Sequence, residues 1–293
     1  MNDQAEKLRS LSKEVIPPAP RYNPARVISI TSGKGGVGKT NLAINLAIQL
    51  RKHDKRVMVI DADFGLANVE MLFGITPRYC FGDLLYGTKT IDEVITEGPM
   101  GIKFISGGTG PSKLANVTDR HVYHFLENMS TLDNISDFVI VDTGAGISKT
   151  VVNFVKASNE TIVVTTPEPT SITDAYTIIK TLREEKNSMP EFKIVVNRTD
   201  SLDEGEEVYS KLSKVSVKFL GIPLQYLGSI PYDPYLVKAV KAQEPVTMCF
   251  PSSTSARAID KICLELLNIA SSDGANRDGF KAFIKKLTNA FSN

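Results

Sequence analysis

The stretch TSGKGGVGKT, residues 31–40, concentrates the residue types that bind phosphate. Gly33, Gly38, Lys39 and Thr40 complete the pattern G-x-x-x-x-G-K-T, with Gly35, Gly36 and Val37 inside it and Asn41 just after. Glycines let backbone N–H groups converge on phosphate oxygens without obstruction from a Cβ. A helix opening at the loop adds its positive N-terminal end. Lys39 is then expected on the β- and γ-phosphates, and the Thr40 hydroxyl on Mg²⁺. One lysine suffices for such a loop, yet Lys34 stands near its start between Gly33 and Gly35.

Carboxylates recur where such a site would need them. VMVIDADFGLAN ends an apolar run in Asp61 and Asp63, and FVIVDTGAG ends another in Asp142. Ligands of open α/β sheets bind outside the carboxyl ends of the strands. Asp142 is the expected acidic partner of Mg²⁺, acting through water. An isolated Asp at a strand end is usually a turn or cap residue; three in a phosphate-loop chain point to chemistry.

These residues require a scaffold of alternating strands and helices. The runs RVISIT, RVMVID, IKFISG, DFVIVD, ETIVVTT, FKIVVN and LGSIP are apolar on both faces, as buried parallel strands are. Helical stretches such as NLAINLAIQLRK and SSTSARAIDKICLELLNIA lie between or after them. The pattern predicts an α/β fold, with a mostly parallel central sheet flanked by helices on both faces. We expect three units: residues 1–21, which end within a proline-rich linker; the α/β domain, 22–272; and a polar linker with a final helix, 273–293.

SGKGGVGKT, DADFGLAN and DTGAG, in this order, resemble the deviant Walker ATPases of the MinD/ParA class over about residues 26–270. That resemblance implies an ATPase using ATP/ADP and Mg²⁺ that dimerises when ATP is bound. Lys34 would be the lysine that crosses the dimer interface to the partner's phosphates. Asp61 would support the Mg²⁺ shell, Asp63 would orient the attacking water, and Asn68 would help sense the dimer. Asn197 and Arg198 in VVNR, with Pro231 and Asp233 in IPYDPYLVKA, resemble the adenine-binding segments. Gly144 stands where division-site members usually have proline. TTPEPTSITDAY would contribute to the dimer face; as a strand-to-helix loop it would be capped by Ser171 or Thr173.

The two ends of the chain are distinctive. GFKAFIKKLTNAF places Phe280, Phe283, Ile284, Leu287 and Phe291 on one helical face, with Lys281, Lys285 and Lys286 off it. An interfacial membrane helix needs this combination; an amphipathic helix docked on a core shows the same spacing. Each lysine near an anionic leaflet adds about 1 kcal/mol, so one copy would bind weakly and two on a dimer much better. DQAEKLR, residues 3–9, resembles the GTPase-activating motif of the FlhG family of flagellar number and placement ATPases. It implies docking of Asp3, Gln4, Leu8 and Arg9 on an FlhF-type signal-recognition GTPase, with Gln4 near that partner's catalytic water. Whether the partner set includes a flagellar switch-complex protein or a transcription factor is left open by the resemblance. The implied location is the cytoplasm, at the inner face of the cytoplasmic membrane.

Two alternatives stay open, a MinD-type division-site regulator and a ParA-type DNA-partitioning ATPase, and composition weighs against others. The 293 residues carry a net charge of +1, which gives no global case for nucleic-acid binding; a ParA-type DNA-partitioning role would need a local basic patch. A division-site MinD would share the last helix without needing DQAEKLR. Cys80, Cys249 and Cys263 are far apart, with no C-x-x-C, which argues against disulfides, a zinc ribbon or an iron–sulfur carrier. His121 and His124 in HVYH lack a third ligand, so packing or surface roles are expected. No run approaches the roughly 20 apolar residues that span a bilayer.

Overall fold

The computed structural model describes residues 24–64, 68–108, 136–184, 189–272 and 279–292. Asp3, Gln4, Leu8 and Arg9, the proline cluster up to Asn23, His121, His124 and the linker 273–278 lie outside the described residues.

An eight-stranded sheet organises the chain, in the order β3-β4-β2-β5-β1-β6-β7-β8. Its strands are β1 (Arg26–Ser32), β2 (Val57–Ala62), β3 (Thr96–Glu97), β4 (Lys103–Ile105), β5 (Phe138–Ala145), β6 (Glu160–Thr165), β7 (Glu191–Thr199) and β8 (Gln225–Pro231). The seven apolar runs are all strands and all pair in parallel. The eighth, β3, pairs antiparallel at the edge. It is two residues long and lacks an apolar run, so periodicity carried no signal for it. The central strands β1 and β2 are buried along their whole length, because helices cover both faces.

Alternation along the strands divides the core. Ile28 and Ile30 of β1 pack with α1 (Lys39–Lys52) and, on the same side, with α2 (Asn68–Phe73). Ala25 and Val27 face the opposite layer, which holds α3 (Phe81–Leu85), α4 (Ile91–Val94) and α5 (Lys149–Ala157). α6 (Pro169–Glu184) and α7 (Leu202–Val215) continue this second layer beside α5. α8 (Pro234–Ala242), α9 (Val246–Cys249) and α10 (Thr254–Ser272) return to the α1 side. Ser253 caps α10, its Oγ accepting from Ala256 N at 3.2 Å. The expected capping of α6 is corrected: Pro169 opens that helix, and Ser171 and Thr173 sit inside its first turns.

The last helix, α11 (Phe280–Ser292), settles one alternative left open by its spacing. Phe280, Phe283, Ile284 and Leu287 are all at most 1% exposed and belong to the same apolar cluster as Val27, Phe81 and Phe154. Asn153 Nδ2 of α5 donates to Ala290 O at 3.1 Å, fastening the helix end. In this state the apolar face is part of the core and Lys285 is exposed. No helix among the described residues is long and apolar enough to cross a membrane.

One buried ionic cluster lies at the amino ends of β1, β6 and β7. Arg26 pairs through two nitrogens with Glu160 and donates to Leu266 O at 2.6 Å. Lys193 Nζ reaches Glu160 Oε2 at 2.9 Å and Glu191 Oε2 at 3.0 Å. Burial would raise the Glu160 pKa, but the Arg26 guanidinium and Lys193 ammonium hold it below the usual carboxylate range.

Candidate nucleotide site

The loop joins β1 directly to α1, so the strand aims the backbone and the helix presents its N-terminus. Gly38 is the N-cap residue of α1, at φ 99°, a conformation that favours glycine. A Cβ there would also lie 2.4 Å from Asn197 Nδ2. At Gly33 a Cβ would come 2.2 Å from Asp174 O, so the loop's start is pressed against the backbone of α6. Val37 is 3% exposed and pegs the loop into the core. Lys39 is 8% exposed, beneath the loop.

Lys34 behaves differently. Its side chain is 42% exposed, and Nζ lies 2.7 Å from Glu168 Oε2 and 3.3 Å from Thr170 Oγ1. The extra lysine therefore stands at the surface of the loop, held by the start of α6 on its own chain. The Lys34 ammonium pulls the Glu168 carboxyl below its ordinary pKa.

The three aspartates meet below the loop. Asp61 and Asp142 are register partners on β2 and β5, and both are fully buried. Asp61 accepts from Asp63 N at 3.0 Å and from Val69 N at 3.3 Å. Burial first, then the nearby Asp142 charge, pushes its pKa well above the ordinary value. Asp142 makes no well-formed hydrogen bond among the described residues, and the polar neighbour within reach of its carboxylate is the Thr40 hydroxyl. Burial pushes it to about 7, although the Thr40 hydroxyl and Lys39 charge pull the other way. Asp63 accepts from Asn68 Nδ2 at 3.4 Å, and its Oδ1 lies 3.4 Å from where a Gly144 Cβ would stand.

An orphaned, buried carboxylate next to a threonine hydroxyl fits a hard divalent cation. Among the described residues no group of three or more His, Cys, Asp or Glu side chains is placed to hold a metal. A cation here would therefore take the rest of its ligands from phosphate oxygens and water, the usual arrangement for Mg²⁺.

A cleft of 290 Å³ opens beside the loop. Gly38, Asn41, Asn197, Arg198 and Pro231 line one part of it, and Asp233 is also in its wall. The geometry refines several expected roles. Asn197 Nδ2 donates to Val37 O at 2.7 Å, and Arg198 Nη2 to Gly36 O at 2.9 Å, so both brace the loop as well as lining the cleft. Asp233 caps α8 through Tyr235 N at 2.8 Å and accepts from Ser255 N and Oγ, both at 2.8 Å. Its carboxylate therefore fixes the wall and is engaged within the protein. The expected residues miss the apolar side of the cleft, Leu236, Val237 and Val240 of α8. Their helical spacing in PYLVKAVKA was the available signal.

This loop, with a lysine below and acids at the adjoining strand ends, defines a P-loop NTPase of the class that binds nucleotides at the carboxyl edge of a parallel sheet. A sequence model of the ParA family, described as NUBPL iron-transfer P-loop NTPase, matches residues 23–267. The chain belongs to the ParA family of P-loop NTPases, in the MinD/ParA class. It is 40% identical to the antiactivator FleN of Pseudomonas aeruginosa over 240 residues, covering 82% of this chain and 85% of that one. It is 33% identical to the flagellum site-determining protein YlxH of Helicobacter pylori over 293 residues, covering 98% of each. The cell division ATPase MinD of Pyrococcus furiosus superposes with a TM-score of 0.69 at 25% identity, covering 84% of this chain and 100% of that one. The MinC:MinD complex of Aquifex aeolicus gives 0.65 at 28% identity, covering 87% of this chain and 100% of that one.

Proposed function

We propose that this chain is an ATP-hydrolysing dimerisation switch that regulates flagellar number and placement. The observation that carries this reading is Lys34, a second lysine exposed on a complete phosphate loop. In phosphoryl transfer the charge gathers on the γ-oxygens, so positioned cations do most of the work. Lys39 supplies one from within the chain. Lys34 supplies another to the partner copy, so the monomer binds ATP but hydrolyses it poorly. Asp63 orients the attacking water. Thr40 and Asp142, with Asp61 behind them, hold Mg²⁺, which when bound neutralises phosphate charge. The cleft next to Asn197 takes the adenine. The resemblance to FleN and YlxH supports the flagellar setting.

Two further parts complete the proposal. ATP-driven dimerisation releases α11 from its seat so that it binds an anionic membrane surface, and Asp3, Gln4, Leu8 and Arg9 stimulate an FlhF-type GTPase. Light scattering of an Asp63→Ala chain with ADP and with ATP tests the core of this reading. A monomer with ADP and a dimer with ATP is expected; a monomer in both defeats it. Anionic vesicles test the membrane step through Lys285→Glu, which leaves the buried face intact. Binding with ATP should weaken roughly tenfold or more, since each charge is worth about 1 kcal/mol, and unchanged binding removes the role. Gln4→Ala should abolish GTPase stimulation and leave ATP hydrolysis intact; unchanged stimulation removes that role.

A further inference from the structure

Asp63 and Phe64 are consecutive residues that serve different compartments. The Asp63 side chain is in the nucleotide site, with Asn68 and the Gly144 backbone beside it. Phe64 packs against the apolar cluster on the other side, the one that contains α11. Its ring centroid is 5.7 Å from Phe81 and 5.7 Å from Phe154. Phe154 in turn is 6.3 Å from Phe283 of α11, and Phe283 stacks on Phe280 at 5.5 Å. A continuous series of ring contacts thus runs from the residue after Asp63 to the helix face.

Phe64 is partly buried and in contact with its neighbours. Gly107, just beyond β4, comes so close that a Cβ there would lie 3.4 Å from Phe64 Cδ1 and 2.7 Å from Asp61 O. A second connection runs through the backbone: Gly144 follows Asp142 by two residues, Val151 of α5 is 3.6 Å from its would-be Cβ, and α5 carries Phe154 and Asn153. Consecutive Cα atoms are fixed at about 3.8 Å, so any backbone movement that carries Asp63 toward a γ-phosphate shifts Phe64 as well. Close-packed rings respond to such a shift by repacking, since cores transmit strain and have little slack.

We propose that Phe64 is a positioning residue that couples Asp63 to the seating of α11 through Phe154. While α11 is docked, the ring stack holds Phe64, and with it Asp63, in the present arrangement. Drawing Asp63 inward loosens the stack and the helix. Coupling is reciprocal, so a seated helix also disfavours the inward position of Asp63. This rests on the proposal that α11 leaves its seat during the nucleotide cycle.

Hydrogen exchange of the α11 amides from Phe283 to Thr288 tests it in the full chain, with Mg²⁺ and either ADP or a non-hydrolysable ATP analogue. The wild-type chain should exchange roughly tenfold faster with the analogue, within the usual range of coupling between linked sites. In Phe64→Leu that ratio should fall to near one, while nucleotide affinity, followed with a fluorescent ADP analogue, stays within a few-fold. Phe154→Leu should loosen α11 in both nucleotide states and likewise erase the difference. A general loss of stability would raise exchange without erasing the ratio. A ratio preserved in both variants overturns the role of Phe64 and leaves helix release standing. A wild-type chain with no nucleotide dependence overturns helix release itself, and the coupling with it.

Discussion

Glu160 and Asp142 flank the first strand on either side, two residues apart in register, level with Ile28 and Ile30. Both are buried carboxylates. Glu160 is met by Arg26 and Lys193, and its pKa is lowered. Asp142 has only the Thr40 hydroxyl and the Lys39 charge near it, without a well-formed hydrogen bond among the described residues, and its pKa rises to about 7. Burying a charge is costly unless it is paired, so the first arrangement is a completed structural joint. The second leaves a carboxylate free for the Mg²⁺ proposed above. Lys34 extends the contrast to the surface: its partner Glu168 is on the same chain, but solvent reaches both.

The largest expected effect concerns the cations of the site. Lys34→Ala should lower ATP hydrolysis roughly 10³-fold, near the lower end of what a trans arginine contributes, because lysine is a point charge. Affinity of the monomer for nucleotide should change little. Single-turnover hydrolysis and equilibrium nucleotide binding check both parts together.

The acid-to-amide exchange should have opposite signs at the two buried carboxylates. Glu160→Gln leaves Arg26 and Lys193 short of a countercharge, and breaking a buried pair in this way costs about 3–5 kcal/mol. The midpoint of denaturant unfolding should fall accordingly. Asp142→Asn removes a carboxylate that is poorly solvated, so the nucleotide-free protein should gain on the order of 2–4 kcal/mol at pH 8. The same variant should lose Mg²⁺-dependent hydrolysis. Equal destabilisation by both exchanges would refute the distinction.

The pH dependence follows from the same group. Asp142 titrates near its ordinary 3.8 when unfolded and near 7 when folded. Between those values the folded state binds more protons, so its contribution is fully present below about pH 4 and is lost as pH rises to about 7. Urea unfolding of the nucleotide-free chain should show that decline, and Asp142→Asn should reduce it, leaving the part due to Asp61, whose pKa is also raised. Mg²⁺ requires the ionised carboxylate, so Mg²⁺-dependent nucleotide affinity should rise as pH approaches 7 and level off above it.

Much of this site was legible because its chemistry is local in sequence. The loop 31–40 and the acids at strand ends follow from residue type, spacing and the strand–helix alternation around them. Partners that meet only in the folded chain were less accessible: Glu168 for Lys34 is 134 residues away, and Ser255 for Asp233 is 22. Asp233 lines the cleft, but nothing near it in sequence revealed the Ser255 hydroxyl that occupies its carboxylate. α11 is the instructive intermediate case. Its apolar face was readable residue by residue, but a 3.6-residue period describes a face and not what covers it. Phe64 carried no signal of its own, since a single aromatic after DAD shows neither α5 nor α11 behind it.

The smallest expected effect separates the two lysines of the loop. Lys34 and Glu168 form a solvent-exposed pair, and such pairs contribute little to stability. Glu168→Gln should therefore leave the unfolding midpoint within error, unlike Glu160→Gln at the buried cluster. Its effect should instead be on assembly. Releasing Lys34 from its own chain removes a competitor for the partner's phosphates, so ATP-dependent dimer affinity should rise by a few-fold, most clearly at low ionic strength where exposed charges are least screened. Light scattering across a concentration series with Asp63→Ala as the common background measures this. Weaker dimerisation would mean that Glu168 itself serves the dimer face, and the contact with Lys34 would then be a resting place and not a restraint.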